Sequence, residues 1–124
     1  MPILHFHGTA DEFIPYDGGH GRHSRTGVTF QSVAHTIDTW VKANGANSLP
    51  TVTQLPVKFV DGTRVTRTHH GAGHGSAEVV LYTIHNGGHT WPGKQPPVRF
   101  IGRSTREVSA NDMIWEFFKR HRLP

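Results

Sequence analysis

Hydrophobic residues form two short, almost continuous runs that are typical of buried strands. The first covers residues 3–7 and ends at Gly8; the second covers residues 78–84 and is rich in β-branched side chains. Strands that are buried on both faces, as in parallel sheets, have this uninterrupted pattern rather than a strict alternation. We therefore predict a strand over each run.

Two other segments carry apolar residues at helical spacing. Ser32 is a suitable N-cap for a helix that the Asn44-Gly45 pair would end. A second helix is predicted after Ser109, with Asp112 completing a capping box and basic residues 119–122 at its C-terminal end. The apolar positions of each helix lie on one face: Val33, Ile37, Trp40 and Val41 in the first, and Met113, Ile114, Phe117 and Phe118 in the second.

The rest of the chain is predicted to be a hairpin and surface loops. Residues 57–68 have the pattern of a hairpin, with strands at 57–60 and 63–66 joined by an Asp-Gly turn. The segments 17–27 and 69–75 are rich in Gly and polar residues, which is typical of loops. A strand–helix–strand order implies that the first and last strands are parallel neighbours, so the predicted fold class is α/β.

Two loops follow the carboxyl ends of the predicted parallel strands, where open α/β sheets hold their functional groups. The first loop carries Asp11, and the second carries His89 after two glycines. Adjacent strands would bring the loops to within about 5 Å of each other. An acid that orients an imidazole is part of a hydrolase triad. On the residues alone, a turn Asp and a packed His remain equally open interpretations.

Several segments resemble one family of enzymes. Residues 3–16 and 78–93 resemble the acid-bearing and histidine-bearing segments of polyhydroxybutyrate depolymerase-like and feruloyl esterase-like α/β-hydrolases. The string Gly-Gly-His-Thr-Trp-Pro-Gly at 87–93 is the most specific part of this similarity. Residues 33–45 and 109–118 are similar to the last helices of the family, so the resemblance covers nearly the whole chain.

The resemblance implies a fold, an activity and a set of residues. The fold would be a partial α/β-hydrolase fold, made of the last parallel strands and helices with a small β-hairpin insertion. Asp11 would be the triad acid and His89 the general base and acid of an ester hydrolase that needs no cofactor and no metal. Trp91 and Tyr16 would line the substrate pocket, although both could equally support their loops.

One member of the family's triad is missing from the sequence. In α/β-hydrolases the serine precedes the acid in the chain and stands in a G-x-S-x-G turn. No serine precedes Asp11 here, and none of the serines has that pattern: Ser24, Ser32, Ser48, Ser76, Ser104 and Ser109. We therefore expect residues 1–124 to be a single incomplete domain, the C-terminal portion of a serine esterase, without nucleophile or oxyanion-hole loop and nearly inactive alone.

The missing portion has two further consequences. The first strand would have an unpaired edge, so we expect self-association through that edge. The chain has no cysteine, which excludes the disulfide that the family has between segments near 45 and 69–75. The first seven residues lack the features of a signal peptide, although members of the family are often secreted. No apolar run is long enough for a membrane span.

Composition leaves two other classes of function open. Eleven histidines suggest a metal-binding module, with candidates in the first strand and in the loops, but no ligand motif such as H-E-x-x-H is present. The candidates are His5, His7, His20, His23, His69, His70 and His74. A non-catalytic interaction module is the other alternative, although Trp115, Phe117 and Phe118 are expected to fill the core.

The positive net charge does not indicate a nucleic-acid interface. The chain carries 13 Lys and Arg against 9 Asp and Glu, for a net charge of +4. Apart from residues 119–122, the basic residues are scattered along the sequence. We expect them to form solvated surface rather than a binding patch.

Overall fold

The computed structural model describes residues 1–73 and 77–121, which form a mixed α/β structure. His74, Gly75 and Arg122, which the sequence assigned to a loop and to a basic helix end, lie outside these described residues. The elements in chain order are β1 (Ile3–Gly8), β2 (Gly19–His20), β3 (Thr29–Phe30), α1 (Val33–Asn44), β4 (Thr51–Gln54), β5 (Arg64–His70), β6 (Val79–His85), a short 3-10 helix (Arg99–Ile101) and α2 (Ala110–Arg120).

The main sheet has four strands in the order β1-β6-β5-β4. β1 and β6 are parallel, with Ile3 opposite Val79 and Gly8 opposite Ile84, as the strand–helix–strand order predicted. The other two pairings are antiparallel, so the sheet is mixed. The in-register parallel pair is the part of the sheet that matters for the site, because it brings the loops after β1 and β6 to one edge.

The hairpin prediction was wrong in its first strand. The strand that pairs with β5 is β4, not residues 57–60, which have no strand partner. The backbone N–H groups of Lys58 and Phe59 instead donate to the Glu107 carboxylate, at 2.7–3.0 Å. A distant side chain has thus taken the hydrogen bonds that a strand partner would have made.

Two of the predicted loops contain strand residues. His69 and His70 belong to β5 and lie opposite Val80 and Val79, because β5 extends along the whole length of β6. Within the predicted loop 17–27, β2 pairs with β3 and makes a two-residue antiparallel ladder. The polar, Gly-rich composition of these segments predicted loops. In the structure, their backbone N–H and C=O groups instead form hydrogen bonds with a neighbouring strand.

Both helices begin at the predicted caps and cover opposite faces of the sheet. The Ser32 hydroxyl accepts a hydrogen bond from the His35 N–H at 3.1 Å, and Gly45 ends α1 with a left-handed φ of 58°. Ser109 caps α2 in the same way. The core consists of two clusters, one on each face: Val33, Ile37, Val41, Val79 and Leu81 under α1, and Val65, Val80, Tyr82, Ile84, Val108 and Phe117 under α2.

The aromatic residues of α2 do not all fill the core as predicted. Phe117 is only 3% exposed, whereas Trp115 and Phe118 are 66% and 58% exposed. Successive helical residues point about 100° apart, so a short helix on a flat sheet buries one row of side chains and leaves its neighbours outside. The exposed pair forms an apolar surface patch on the outer side of α2.

Glu78, just before β6, joins the C-terminal end of α2 to the sheet. Its carboxylate accepts a hydrogen bond from His121 Nε2 at 2.7 Å and lies 3.3 Å from a guanidinium nitrogen of Arg120. His69 Nε2 lies 2.6 Å from the other oxygen, an ion-pair distance without the geometry of a hydrogen bond. Burial alone raises the pKa of Glu78, but the contacts with His121, His69 and Arg120 together hold it below its ordinary value.

This lowered pKa predicts a pH dependence of stability. A carboxyl whose pKa is lower in the folded state stabilises the fold above its unfolded pKa of about 4.5, and that contribution is lost as pH falls through the folded pKa. At neutral pH, Glu78→Gln should therefore be less stable than the wild type. Below about pH 4.5 the difference should shrink. Urea unfolding of both proteins across this range measures it, and a difference that is constant with pH would contradict the prediction.

Candidate active site

The loop after β1 fixes the Asp11 side chain. One carboxylate oxygen, Oδ1, accepts hydrogen bonds from the backbone N–H groups of Phe13 and Ile14, both at 2.9 Å. An Asp that bonds the backbone two and three residues on stabilises a tight turn. Asp11 is 9% exposed. Its second oxygen, Oδ2, is left to face the neighbouring loop.

The loop after β6 packs against the first loop backbone to backbone. The Ala10 N–H donates to the Gly87 carbonyl at 2.8 Å. A Cβ atom on Gly8 would lie 2.2 Å from that carbonyl oxygen, and one on Gly88 would meet the backbone of Ile101. Glycine is required at Gly8 by the close approach of the two loops, and at Gly88 by the backbone of residues 101–102. Neither position has a positive φ, so the requirement is one of space. The packing fixes the start of the segment that carries His89.

Asp11 and His89 meet at this edge of the sheet. His89 Nδ1 lies 2.9 Å from Asp11 Oδ2, so the Nδ1–H group donates to the carboxylate. In the neutral ring this leaves the lone pair on Nε2, which makes no hydrogen bond with any residue in the described ranges. The His89 side chain is 47% exposed and that of Asp11 is 6% exposed. The arrangement is a buried carboxylate behind an imidazole that presents an open proton acceptor.

Two further residues that the sequence did not assign to the site contact this pair. The centroids of the Phe13 and His89 rings lie 5.3 Å apart. His7 Nε2 lies 3.7 Å from Asp11 Oδ2 and hydrogen-bonds to the Ile14 carbonyl at 2.8 Å. A signal for His7 was available, because it stands at the carboxyl end of β1, four residues before Asp11. The sequence analysis named His7 only as a candidate metal ligand.

The two predicted pocket residues lie in different surroundings. Trp91 lines a cleft of about 530 Å³ beside the pair, together with His5, Phe6 and Pro92. Its Nε1–H donates to Asn111 at 2.8 Å, which ties the loop to α2. Tyr16 does not line this cleft; its hydroxyl hydrogen-bonds to Thr83 at 2.8 Å on the α1 side of the sheet.

Four of the five serines within the described residues, all but Ser48, bond to other groups. Ser32 and Ser109 cap the helices, Ser104 donates to the Trp91 carbonyl at 3.0 Å, and Ser24 bonds to Thr26. Ser76 lies outside the described residues. The open Nε2 of His89 therefore has no hydroxyl partner in the part of the chain that the structure shows.

Within the described residues, neither a metal-holding cluster nor a membrane-crossing helix is found. No group of three or more His, Cys, Asp or Glu side chains within 1–73 and 77–121 is arranged to hold a metal ion. Burial, and then the neighbouring His7, lowers the pKa of His5 and so favours its uncharged form. None of the described helices is both long and apolar enough to cross a bilayer.

Fold and site together define a mixed α/β protein with an acid–imidazole pair at the ends of two parallel strands. Over 94% of its length, the chain is 29% identical to a protein of Nocardia uniformis subsp. tsuyamanensis named "Putative esterase NocK". The chain spans 37% of the length of that relative. No family model matches the chain, and no solved structure matches it. This distant similarity supports an esterase-like relationship.

Proposed function

We propose that the chain is the acid- and base-bearing portion of a serine carboxylic-ester hydrolase of the polyester depolymerase or feruloyl esterase type. Asp11 is the triad acid, His89 is the general base and acid, and the nucleophilic serine comes from residues outside these 124. The observation that carries the proposal is the 2.9 Å contact between His89 Nδ1 and Asp11 Oδ2, with Nε2 left open on the exposed side.

Each proton transfer of ester hydrolysis is then carried out by Nε2 of His89. His89 Nε2 accepts the serine proton as the serine oxygen bonds to the ester carbonyl carbon. The imidazolium gives that proton to the leaving alkoxide as the C–O bond breaks, and the acyl group stays on the serine. A water molecule then gives a proton to Nε2 of His89 as its oxygen bonds to the acyl carbon. The imidazolium returns the proton to the serine oxygen as the acyl–serine bond breaks and the acid leaves. Throughout, the Asp11 carboxylate stabilises the imidazolium and keeps its Nδ1–H in place.

Two findings outside the pair support the proposal. The similarity to the protein named as a putative esterase covers 94% of this chain but only 37% of that relative, so a protein of that length has room for a further segment. β1 is an edge strand, paired only with β6 among the described residues. In an intact α/β-hydrolase domain this edge would be covered by a further strand of the same sheet, so residues 1–124 would be one incomplete domain.

The test of the proposal is a protein that contains both parts. The longest open reading frame that includes these codons is expressed and treated with a fluorophosphonate probe, which labels activated serines. We expect labelling of a serine in a G-x-S-x-G turn and hydrolysis of p-nitrophenyl acetate. A reading frame with that turn and no labelling would contradict the proposal, as would one without such a serine.

A second prediction concerns the 124-residue chain alone. Without a nucleophile, His89 can act only as an exposed imidazole, so turnover of p-nitrophenyl acetate should not exceed that of free imidazole at an equal concentration of imidazole groups. His89→Ala should remove only the contribution of one imidazole, because other exposed histidines such as His20 remain. Turnover that a fluorophosphonate abolishes would show a serine nucleophile inside the chain, and would contradict the assignment.

Self-association is a second function that a specific observation favours. The Ile3 N–H donates to the carbonyl of Glu78, just before β6, and the Thr9 N–H donates to Ile84 of β6. The alternate residues Leu4, Phe6 and Gly8 therefore turn their backbone groups away from β6. No strand within the described residues pairs with that side of β1. An open edge of this kind can pair with a second copy of the chain.

The edge predicts a concentration-dependent assembly. Sedimentation velocity of the 124-residue chain should show dimers that dissociate on dilution. The amide hydrogens of Leu4, Phe6 and Gly8 should exchange more slowly at high concentration, whereas those of the β5–β6 ladder should not change. A monomer at all concentrations, with rapid exchange along this edge, would contradict the prediction.

A further inference from the structure

His7 ties the loop that holds Asp11 to the end of β1. Its Nε2 lies 2.8 Å from the Ile14 carbonyl oxygen. A carbonyl can only accept, so His7 must carry a hydrogen on Nε2. This bond closes the turn that Asp11 Oδ1 makes with the N–H groups of Phe13 and Ile14. The turn is therefore held from both sides, by a carboxylate and by an imidazole.

The other nitrogen of His7 faces a second imidazole. His7 Nδ1 lies 3.3 Å from His5 Nε2, and the two rings are stacked with centroids 5.5 Å apart. Since Nε2 of His7 already carries the hydrogen in the neutral ring, Nδ1 accepts and His5 donates. His5 therefore favours the one tautomer of His7 that can bond Ile14.

The surroundings of His7 restrict its ring. Its side chain is 11% exposed, and the Tyr16 ring packs almost perpendicular to it, with the two ring centroids 5.7 Å apart. Tyr16 is itself anchored by its hydroxyl to Thr83 on β6. Because the ring is enclosed on these sides, its orientation is set by packing as well as by hydrogen bonds.

Asp11 Oδ2 lies between two imidazoles that could both donate to it. His89 Nδ1 is 2.9 Å away, and His7 Nε2 is 3.7 Å away. The Ile14 carbonyl takes the His7 hydrogen, which leaves Oδ2 to His89.

We propose that His7, in its Nε2–H tautomer, is a positioning residue that anchors Ile14 and so holds the Asp11 carboxylate in the position where it bonds His89. The contribution of His7 to catalysis rests on the proposed function. Its effect on the Asp11–His89 hydrogen bond does not depend on that function. The positioning can therefore be measured on the 124-residue chain without any activity.

Nitrogen NMR of the imidazoles tests the tautomers in the wild type. His7 should show the Nε2–H pattern and His89 the Nδ1–H pattern, with a downfield proton on His89 Nδ1 that Asp11→Asn removes. An Nδ1–H pattern for His7 would overturn the proposal, and this measurement needs no variant at that position.

Two substitutions of His7 separate its hydrogen bond from its bulk. His7→Gln places an amide N–H near the former Nε2 and can still bond Ile14, whereas His7→Leu fills similar space without a donor. His7→Leu releases the Ile14 carbonyl and loosens the turn that holds Asp11. We therefore expect loss of the downfield His89 proton, mixed His89 tautomers, and amide exchange of Phe13 and Ile14 that is about tenfold faster. His7→Gln should restore all three. Wild-type signals from His89 in His7→Leu would overturn the proposal.

Failure of this inference differs from failure of the proposed function. In the serine-bearing protein, His7→Leu should lower kcat with little change in KM, and His7→Gln should recover it. If that protein proves inactive, the proposed function fails while the NMR result stands. If that protein is active and the NMR signals of His89 are unchanged in His7→Leu, only the positioning role is wrong.

Discussion

In the serine-bearing protein, His89→Ala is expected to lower kcat by about a million-fold, and Asp11→Asn by about ten-thousand-fold. Removal of the imidazole deletes the proton acceptor itself. Asp11→Asn keeps an oxygen for the N–H groups of Phe13 and Ile14, so the turn should survive. Its amide N–H would face Nδ1 of His89 and favour the wrong tautomer. KM should change little, because neither change removes a contact made mainly to bound substrate.

The kinetic measurement needs a matched imidazole as control. His20→Ala removes an exposed imidazole of β2 that bonds only to Thr29 among the described residues, and kcat should stay near the wild-type value. Far-UV circular dichroism checks that each variant is folded. If Asp11→Asn kept more than about a tenth of the wild-type kcat, the tautomer role of Asp11 would be wrong.

The features that sequence could predict are those with local signals. The parallel pair β1 and β6 followed from apolar runs, and both helix starts followed from Ser32 and Ser109. The juxtaposition of Asp11 and His89 needed one further step, the parallel crossover, which places the two following loops at the same edge. The in-register pairing of Ile3 with Val79 confirms this geometry.

The features that sequence could not predict depend on contacts between distant residues. Residues 57–60 are mostly apolar, as a strand would be, but the Glu107 carboxylate binds the N–H groups of Lys58 and Phe59 from 49 and 48 positions away. The role of His7 depends on a bond to Ile14, which only the folded loop creates. His69 was predicted to lie in a loop because its neighbours are Gly-rich and polar. No local pattern in the sequence shows that β5 continues along β6.

The largest effect on stability is expected at Phe117. This ring is 3% exposed and belongs to the core cluster with Val80 and Tyr82, so Phe117→Ala should lower the free energy of unfolding by about 3–5 kcal/mol. Domains of this size are stabilised by only about 5–15 kcal/mol in total. The variant should therefore unfold at a much lower urea concentration than the wild type.

Phe118 supplies the matched control, because it carries the same side chain one position further along α2. It is 58% exposed, so Phe118→Ala should change the free energy of unfolding by no more than about 0.5 kcal/mol. Urea unfolding followed by far-UV circular dichroism at low protein concentration compares the two variants. Equal losses in both would mean that α2 packs through a different face from the one described. A loss in Phe118→Ala that grows with protein concentration would instead place this exposed ring in an interface between copies of the chain.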